Sequence, residues 1–281
     1  MRRPGQRRTP VDERRFAGWL ERFGGYRVQV TRARIEQWLK QFAAGERDLA
    51  ARILDAVEFY RPDQLSNAYR SILGALPGWS RSAAQRQGRW RFVAFGIHSG
   101  ESGDAMLTTF RIANGLGGAP FNELFIHKAD LLGENLGPGD TVVFVDDFAG
   151  TGDQVIGAWT ESLGELLPGG PRAFLILVAA VEDARRRIAR ETPLTVRPFR
   201  HLRARDNFFA GECTHFRRAE KERILAYCQR ADSTNPQGYG QCGLLLVMAH
   251  RCPNNSLPIL HARGRSFWVS SYADRPVFGR G

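Results

Sequence analysis

Two adjacent carboxylates followed by a glycine turn are the residues of this chain best suited to chemistry. Asp146 and Asp147 come directly after the apolar run Thr141–Val145, and Gly-Thr-Gly follows at residues 150–152. Such a run is typical of a strand buried on both faces, and ligands of open α/β sheets bind where strands end. A glycine turn that begins a helix leaves backbone N–H groups free to hold a phosphate. A phosphorylated sugar satisfies both features, because the carboxylates take its hydroxyls or a magnesium ion.

A second loop of small residues follows another apolar run, residues 90–95. The loop occupies residues 96–103 and precedes a predicted helix. Small side chains let backbone amides approach an anion closely. Taken alone, the loop is explained equally well as a glycine-rich connection. His98 within it is a minor candidate for proton transfer, since a lone loop histidine is more often solvated.

A third loop reads Cys-Pro-Asn-Asn-Ser-Leu-Pro at residues 252–258. The amides of Asn254 and Asn255 offer donors and acceptors to a base or a ribose. They equally suit hydrogen bonds within the loop itself, and spacing alone favours that second interpretation.

The surrounding pattern predicts two domains. Helical spacing of apolar residues indicates four helices before residue 80, the third of them at residues 47–60, with Thr31 capping the second and Pro62 in the first turn of the last. After a polar linker at residues 81–88, apolar strands alternate with helices. This alternation predicts an α/β fold with a mostly parallel sheet over residues 81–281. The predicted strands span residues 90–95, 141–145, 173–181, 194–199 and 243–249, and the helices span 103–114, 154–167, 183–190 and 217–230.

The segment at residues 141–154 resembles the phosphoribosyl pyrophosphate (PRPP) signature of type I phosphoribosyltransferases. Both contain four hydrophobic residues, two acids, two hydrophobic residues and a Thr-Gly turn. The resemblance implies a Rossmann-like sheet, with Asp146 and Asp147 on the ribose 2′ and 3′ hydroxyls and on Mg²⁺, and the turn on the 5′-phosphate. Two positions depart from the pattern: Gly150 replaces an Asp or Thr, and Gln154 replaces a hydroxyl residue. No general base is therefore identified, and the two aspartates are the catalytic candidates.

Four segments together are similar to PRTase-CE proteins, which are phosphoribosyltransferase-like effectors of bacterial conflict systems. They are residues 38–42, 146–152, 238–243 and 253–258. The similarity implies a role in anti-phage defence and a carboxy-terminal hood that contributes the asparagine loop. The residues assigned to the ligand are Asp146, Asp147, Ala149, Gly150, Thr151, Gly152, Asp153, Gln154, Ser99, Gly100, Glu101, Ser102, Gly103, Asn254 and Asn255.

Composition sets limits on partners and location. The 281 residues carry a net charge of +11, which suits a phosphorylated ligand or a nucleic acid. Residues 1–40 hold eleven of the cations and four acids, and could contact phosphate backbones or form a lid or an oligomer interface. No apolar run approaches the roughly 20 residues of a membrane span, and no secretory leader is recognised. With four scattered cysteines, the chain is expected in a bacterial cytoplasm.

Three functions remain open at this stage. The first is a PRPP-binding protein that transfers or cleaves the phosphoribosyl group. The second is a catalytically inactive nucleotide sensor that controls a protein or nucleic-acid partner through its basic helices. The third is a nucleic-acid-binding module whose sheet is a scaffold. The first two require the paired acids and the glycine turn to form a single pocket that holds a sugar by its hydroxyls and its phosphate.

Overall fold

The computed structural model describes residues 11–96 and 102–262. In these ranges the helices and strands, in chain order, are α1 (Glu13–Arg22), α2 (Arg32–Lys40), α3 (Arg47–Ala56), β1 (Glu58–Tyr60), α4 (Pro62–Gly74), β2 (Trp90–Ala94), α5 (Ser102–Ala113), β3 (Thr141–Val145), β4 (Phe148–Ala149), α6 (Asp153–Ala158), β5 (Arg172–Val181), α7 (Glu182–Glu191), β6 (Thr195–Leu202), α8 (Arg218–Ala231), β7 (Leu246–Met248) and α9 (Pro258–His261). A π-helical segment, Trp159–Leu163, continues α6.

The four helices predicted before residue 80 are confirmed as α1 to α4. The side chain of Thr31 accepts a hydrogen bond from the N–H of Arg34, as an N-cap does, and Pro62 is the first residue of α4. The prediction that the third helix continues to Tyr60 is wrong. Glu58–Tyr60 forms β1, parallel to β7, because aromatic residues after Val57 favour a strand once the chain leaves the helix.

The main sheet contains five described strands, and all of its strand pairings are parallel. Its spatial order is β2, β3, β5 and β6, with β4 lying beside β5 on the same edge as β3. All five residues of β3 and the central eight of β5 are buried. The predicted α/β class with a mostly parallel sheet and preceding helices is therefore confirmed, and the arrangement is consistent with a Rossmann-like core.

The two aspartates occupy a short gap in an otherwise continuous strand. β3 and β4 follow β5 in one unbroken register. Between them, the N–H of Asp146 donates to the carbonyl of Ile176 (3.2 Å), and the carbonyl of Asp147 accepts from the N–H of Ala179 (3.1 Å). β2 runs beside β3 only as far as Val145. Asp146 therefore follows directly after the last residue of β3 that pairs with β2, whereas the pairing with β5 continues past both aspartates.

The chain divides into two compact units. The described parts of Met1–Pro62 and Ala204–Gly281 form one, and that of Asp63–Arg203 forms the other. This division differs from the predicted domains 1–80 and 81–281. After β6 the chain returns to the first unit, where β7 pairs with β1, so the predicted hood groups with the first helices.

Among the described residues, no helix combines the length and apolar character needed to cross a membrane.

The carboxylate of Asp140 ties the start of β3 to the residue before β2. It accepts hydrogen bonds from the N–H of Gly137 (3.0 Å) and from the N–H and Nη2 of Arg89 (both 2.8 Å). Burial alone would raise the pKa of Asp140, but these hydrogen bonds outweigh it and lower the pKa to about 2 from its ordinary 3.8. Because the folded-state pKa is depressed, the stabilisation is complete above pH 3.8 and lost as the pH falls through about 2.

Asp140→Asn is expected to lower the free energy of unfolding by about 2 kcal/mol at pH 7. The difference from the unmodified protein is expected to shrink as the pH falls toward 2. Urea unfolding at a series of pH values measures both effects. A constant difference over the whole pH range would rule out the ionised carboxylate as the cause.

Candidate functional site

Both aspartates after β3 are buried. Asp146 is 4% exposed and Asp147 is fully buried. An Oδ1 atom of Asp146 accepts the N–H of Asp147 (2.9 Å), and the buried hydroxyl of Tyr69 donates to the backbone carbonyl of Asp146 (2.9 Å). The sequence predicted reachable carboxylates at this end of the sheet. The structure places them at the predicted end but covers them, so a ligand reaches them only if the covering residues move.

The glycine turn after the aspartates is partly open. Gly150 and Thr151 are half-buried, and Asp153 and Gln154 are exposed. The N–H groups of residues 150–152 donate no hydrogen bond within the part of the chain that the structure describes. Gly152 has a φ of 84°, and a Cβ on it would lie 3.1 Å from Cγ1 of Ile188. The turn therefore needs glycine at this position, which is buried, and its three backbone N–H groups have no partner among the described residues, as an anion-binding turn requires.

An ion pair lies across the same turn. The hydroxyl of Thr151 donates to Oδ2 of Asp153 (2.7 Å), and Nη1 of Arg187 donates to Oδ1 of Asp153 (2.5 Å). The hydrogen bond to Asp153 is the main reason that the pKa of Arg187 is raised. The carboxylate of Asp153 thus engages a hydroxyl and a guanidinium that would otherwise suit a phosphate. Arg187 lies 34 residues further along the chain than Asp153, so spacing gave no indication of the contact.

The predicted pyrophosphate loop is only partly described. His98, Ser99, Gly100 and Glu101 lie outside the described residues. Ser102 begins α5, and a Cβ on Gly103 would lie 2.0 Å from the carbonyl oxygen of Phe95. The start of α5 therefore packs against the backbone just after β2, and only glycine permits that approach.

Lys128 is a cation at this end of the sheet that the sequence analysis did not single out. Its Nζ donates to the carbonyl of Gly96, two residues after the end of β2 (2.7 Å). β2 and β3 are neighbours and end in register, which places Gly96 at the same end of the sheet as Asp146. Lys128 is one of three lysines in the sequence, but its position in the chain gave no indication of a contact with the end of β2.

The asparagine loop belongs to the unit formed by the two ends of the chain. Nδ2 of Asn255 donates to the carbonyl of Tyr239 (3.0 Å), and the carbonyl of Asn254 accepts the N–H of Tyr239 (2.9 Å). The carbonyl of Asn255 accepts the N–H of Leu244 (3.1 Å). These contacts favour the interpretation in which the asparagines hold the loop together. A ligand contact at either asparagine stays a prediction.

The donor set at the aspartates suits magnesium. Mg²⁺ is usually held by one or two carboxylates together with phosphate oxygens and water, and two adjacent aspartates match that pattern. Within the described ranges, no group of three or more His, Cys, Asp or Glu side chains forms an all-protein metal site. Burial raises the pKa of Cys228 to about 12 and raises that of Cys252 as well, which keeps both thiols protonated and poorly suited to a metal.

Several cations of the first helices are already paired. The ion pairs join Arg15 to Asp48 and Asp55, and Arg32 to Glu13 and Glu36. Arg22 donates to the carbonyls of Leu54 and Asp55 at the end of α3. Binding of nucleic acid through these three arginines would require them to exchange existing partners for phosphates. Such binding stays a prediction.

The family model PRTase-CE matches residues 35–272, a span that contains both aspartates, the glycine turn and the asparagine loop. No curated protein matches the chain.

Proposed function

The chain belongs to the PRTase-CE family, which is phosphoribosyltransferase-like, and from that premise we propose that it binds PRPP or a related nucleotide together with Mg²⁺. The ligand would lie on Asp146, Asp147 and the turn at residues 150–154. The bound phosphoribosyl group would then be transferred or cleaved. We propose as well that the protein acts in the bacterial cytoplasm as an effector of a conflict system.

One observation carries this proposal. A continuous register brings two adjacent carboxylates and a turn with three unused N–H groups to the same end of a parallel sheet. Carboxylates accept hydrogen bonds from sugar hydroxyls, and convergent backbone N–H groups bind phosphate. A ribose 5-phosphate presents these two chemistries at opposite ends of one small molecule. The arrangement therefore suits a phosphorylated ribose better than a free sugar or a free phosphate.

Different residues of the site would hold the sugar and stabilise the charge that develops on the leaving pyrophosphate. Departure of pyrophosphate leaves positive charge on the ribose ring and negative charge on the leaving oxygen. Asp146 and Asp147 would fix the sugar and hold Mg²⁺, which supplies positive charge for the phosphates. Lys128 supplies a further cation at the end of β2. Because both carboxylates are covered, binding would require an opening step, and reclosure would shield the reacting carbon from bulk solvent.

Isothermal titration of the full chain with PRPP and Mg²⁺ tests the proposal. We expect saturable binding that ribose 5-phosphate weakens by competition. Titration without Mg²⁺ is expected to give weaker binding. Absence of PRPP binding with the metal present would contradict the proposal.

The carboxylate of Asp153 sets a further expectation for the same titration. Asp153→Asn removes a negative charge beside the phosphate turn and releases Nη1 of Arg187 from that carboxylate, while Nε of Arg187 keeps its ion pair with Glu191. We expect PRPP to bind about fivefold more tightly, equivalent to about 1 kcal/mol. Asp183→Asn removes an exposed carboxylate from α7 and serves as the control, with unchanged affinity expected. Weaker binding by Asp153→Asn would show that the ion pair shapes the turn for the ligand.

A second function, nucleotide sensing without turnover, is favoured by one departure from the signature. Gly150 provides no side chain where many active members carry an acid or a hydroxyl. A sensor would bind PRPP and release no pyrophosphate. Detection of pyrophosphate in reactions that contain PRPP, Mg²⁺ and bacterial cell extract separates the two functions.

A further inference from the structure

Transfer of a phosphoribosyl group to an N–H or O–H nucleophile releases a proton, and the turn offers no free base to accept it. Gly150 has no side chain, and the carboxylate of Asp153 is held by Thr151 and Arg187. A base for this step must therefore come from another element at the same end of the sheet.

The strand register brings a histidine to that level. Ala149 of β4 pairs with Ala180 of β5, which pairs with His201 of β6. Neighbouring strands are about 4.8 Å apart, so the Cα atom of His201 lies about 10 Å from that of Ala149. Gly150 follows Ala149 directly. His201, near the end of β6, therefore lies in the same cross-strand row as Ala149, the residue before the phosphate turn.

The histidine has the geometry of an oriented base. Its Nδ1 atom lies 3.2 Å from Oε2 of Glu182, the first residue of α7. Hydrogen bonds from Arg185 are the main reason that the pKa of Glu182 is lowered to about 2, so its carboxylate stays charged at neutral pH. Nε2 of His201 makes no hydrogen bond within the described chain, and the side chain is 46% exposed. A carboxylate on one ring nitrogen directs the other nitrogen toward an incoming proton.

We propose that His201 is the general base of the phosphoribosyl transfer and that Glu182 is its positioning residue. This inference rests on the proposed function. With water as the acceptor, the water oxygen bonds to C1 of the ribose while the bond from C1 to pyrophosphate breaks. The bonding electron pair leaves with pyrophosphate, and the water proton passes to Nε2 and then to solvent. The products are ribose 5-phosphate and pyrophosphate.

The test compares PRPP binding with pyrophosphate release in the full chain, with water as the acceptor. His201→Ala is expected to lower kcat by about 100-fold or more while PRPP affinity stays within about twofold. Added imidazole is expected to restore part of the lost rate, which a purely structural role would not allow. Glu182→Gln is expected to lower kcat by about tenfold with little change in KM, since the ring keeps its base but loses its orientation. His215→Gln removes another exposed histidine and serves as the control.

The possible outcomes distinguish the role of His201 from the proposed function on which that role rests. Binding and release at the full rate by His201→Ala would overturn the role of His201 and leave the proposed function standing. Failure of the unmodified chain to bind PRPP would overturn both, whereas binding without release, both in water alone and with cell extract added, would overturn turnover and the general base together. If His201→Ala unfolds, His201→Gln replaces it, and a full rate in that variant would equally overturn the inference.

Discussion

Gly103→Ala is expected to lower the free energy of unfolding by about 3 kcal/mol, at the upper end of the cost of overpacking. The new methyl group would lie 2.0 Å from the carbonyl oxygen of Phe95, a backbone atom that cannot rotate away. Relief requires α5 to move from the end of β2, where the predicted pyrophosphate loop joins the sheet. Urea unfolding followed by circular dichroism measures the change.

Gly157→Ala is the matched control, because Gly157 lies inside α6 and a methyl group added there would approach no heavy atom beyond its chain neighbours and its own helix backbone more closely than 3.9 Å. Alanine is the better helix former, so this variant is expected to gain about 0.5–1 kcal/mol. Opposite signs for the two glycines would establish close approach, rather than helix propensity, as the reason for Gly103. Equal small effects would show that α5 tolerates displacement.

The second large effect is expected from the aspartates. Asp146→Asn combined with Asp147→Asn is expected to weaken PRPP binding by at least about 100-fold, since each carboxylate loses charge-assisted hydrogen bonds to a sugar hydroxyl or the metal. Asparagine nearly preserves side-chain volume, which matters because Asp147 is fully buried. Titration calorimetry with PRPP and Mg²⁺ measures the loss.

Thermal unfolding of the same double variant separates ligand binding from folding. Its melting temperature should stay high enough for the chain to be fully folded during the titration. Asp183→Asn is again the control for an exposed carboxylate in the same unit. Wild-type affinity in a folded double variant would remove the aspartates from the binding site.

The strands near the site were predictable because their residues are apolar without interruption. Thr141–Val145 is bounded by Asp140 and Asp146, and the predicted and observed ends of β3 coincide. β1 and β4 are three and two residues long, too short for a periodic pattern, and each depends on a partner strand far along the chain. The positions of β1 and β4 are therefore set by pairing with distant strands, which the local sequence pattern does not predict.

The composition of the site was predictable, but its accessibility and its neighbours were not. In the sequence an apolar strand is followed by two acids and then by a glycine turn, and this order identified Asp146 and Asp147. Their burial depends on what packs over them, which no local pattern encodes. Arg187 and Lys128 reach this end of the sheet from α7 and from the segment before β3, so only folding brings them near.

The backbone N–H groups of Gly150, Thr151 and Gly152 provide the most direct test of whether the turn binds the phosphate of the ligand. Amide chemical shifts of the isotope-labelled chain, recorded as PRPP and Mg²⁺ are added, report on those three groups individually. PRPP is expected to cause saturable shifts at all three, which ribose 5-phosphate also causes and which are absent at the N–H of Gly157. Saturable binding that leaves these three resonances in place would contradict binding of the phosphate by the turn.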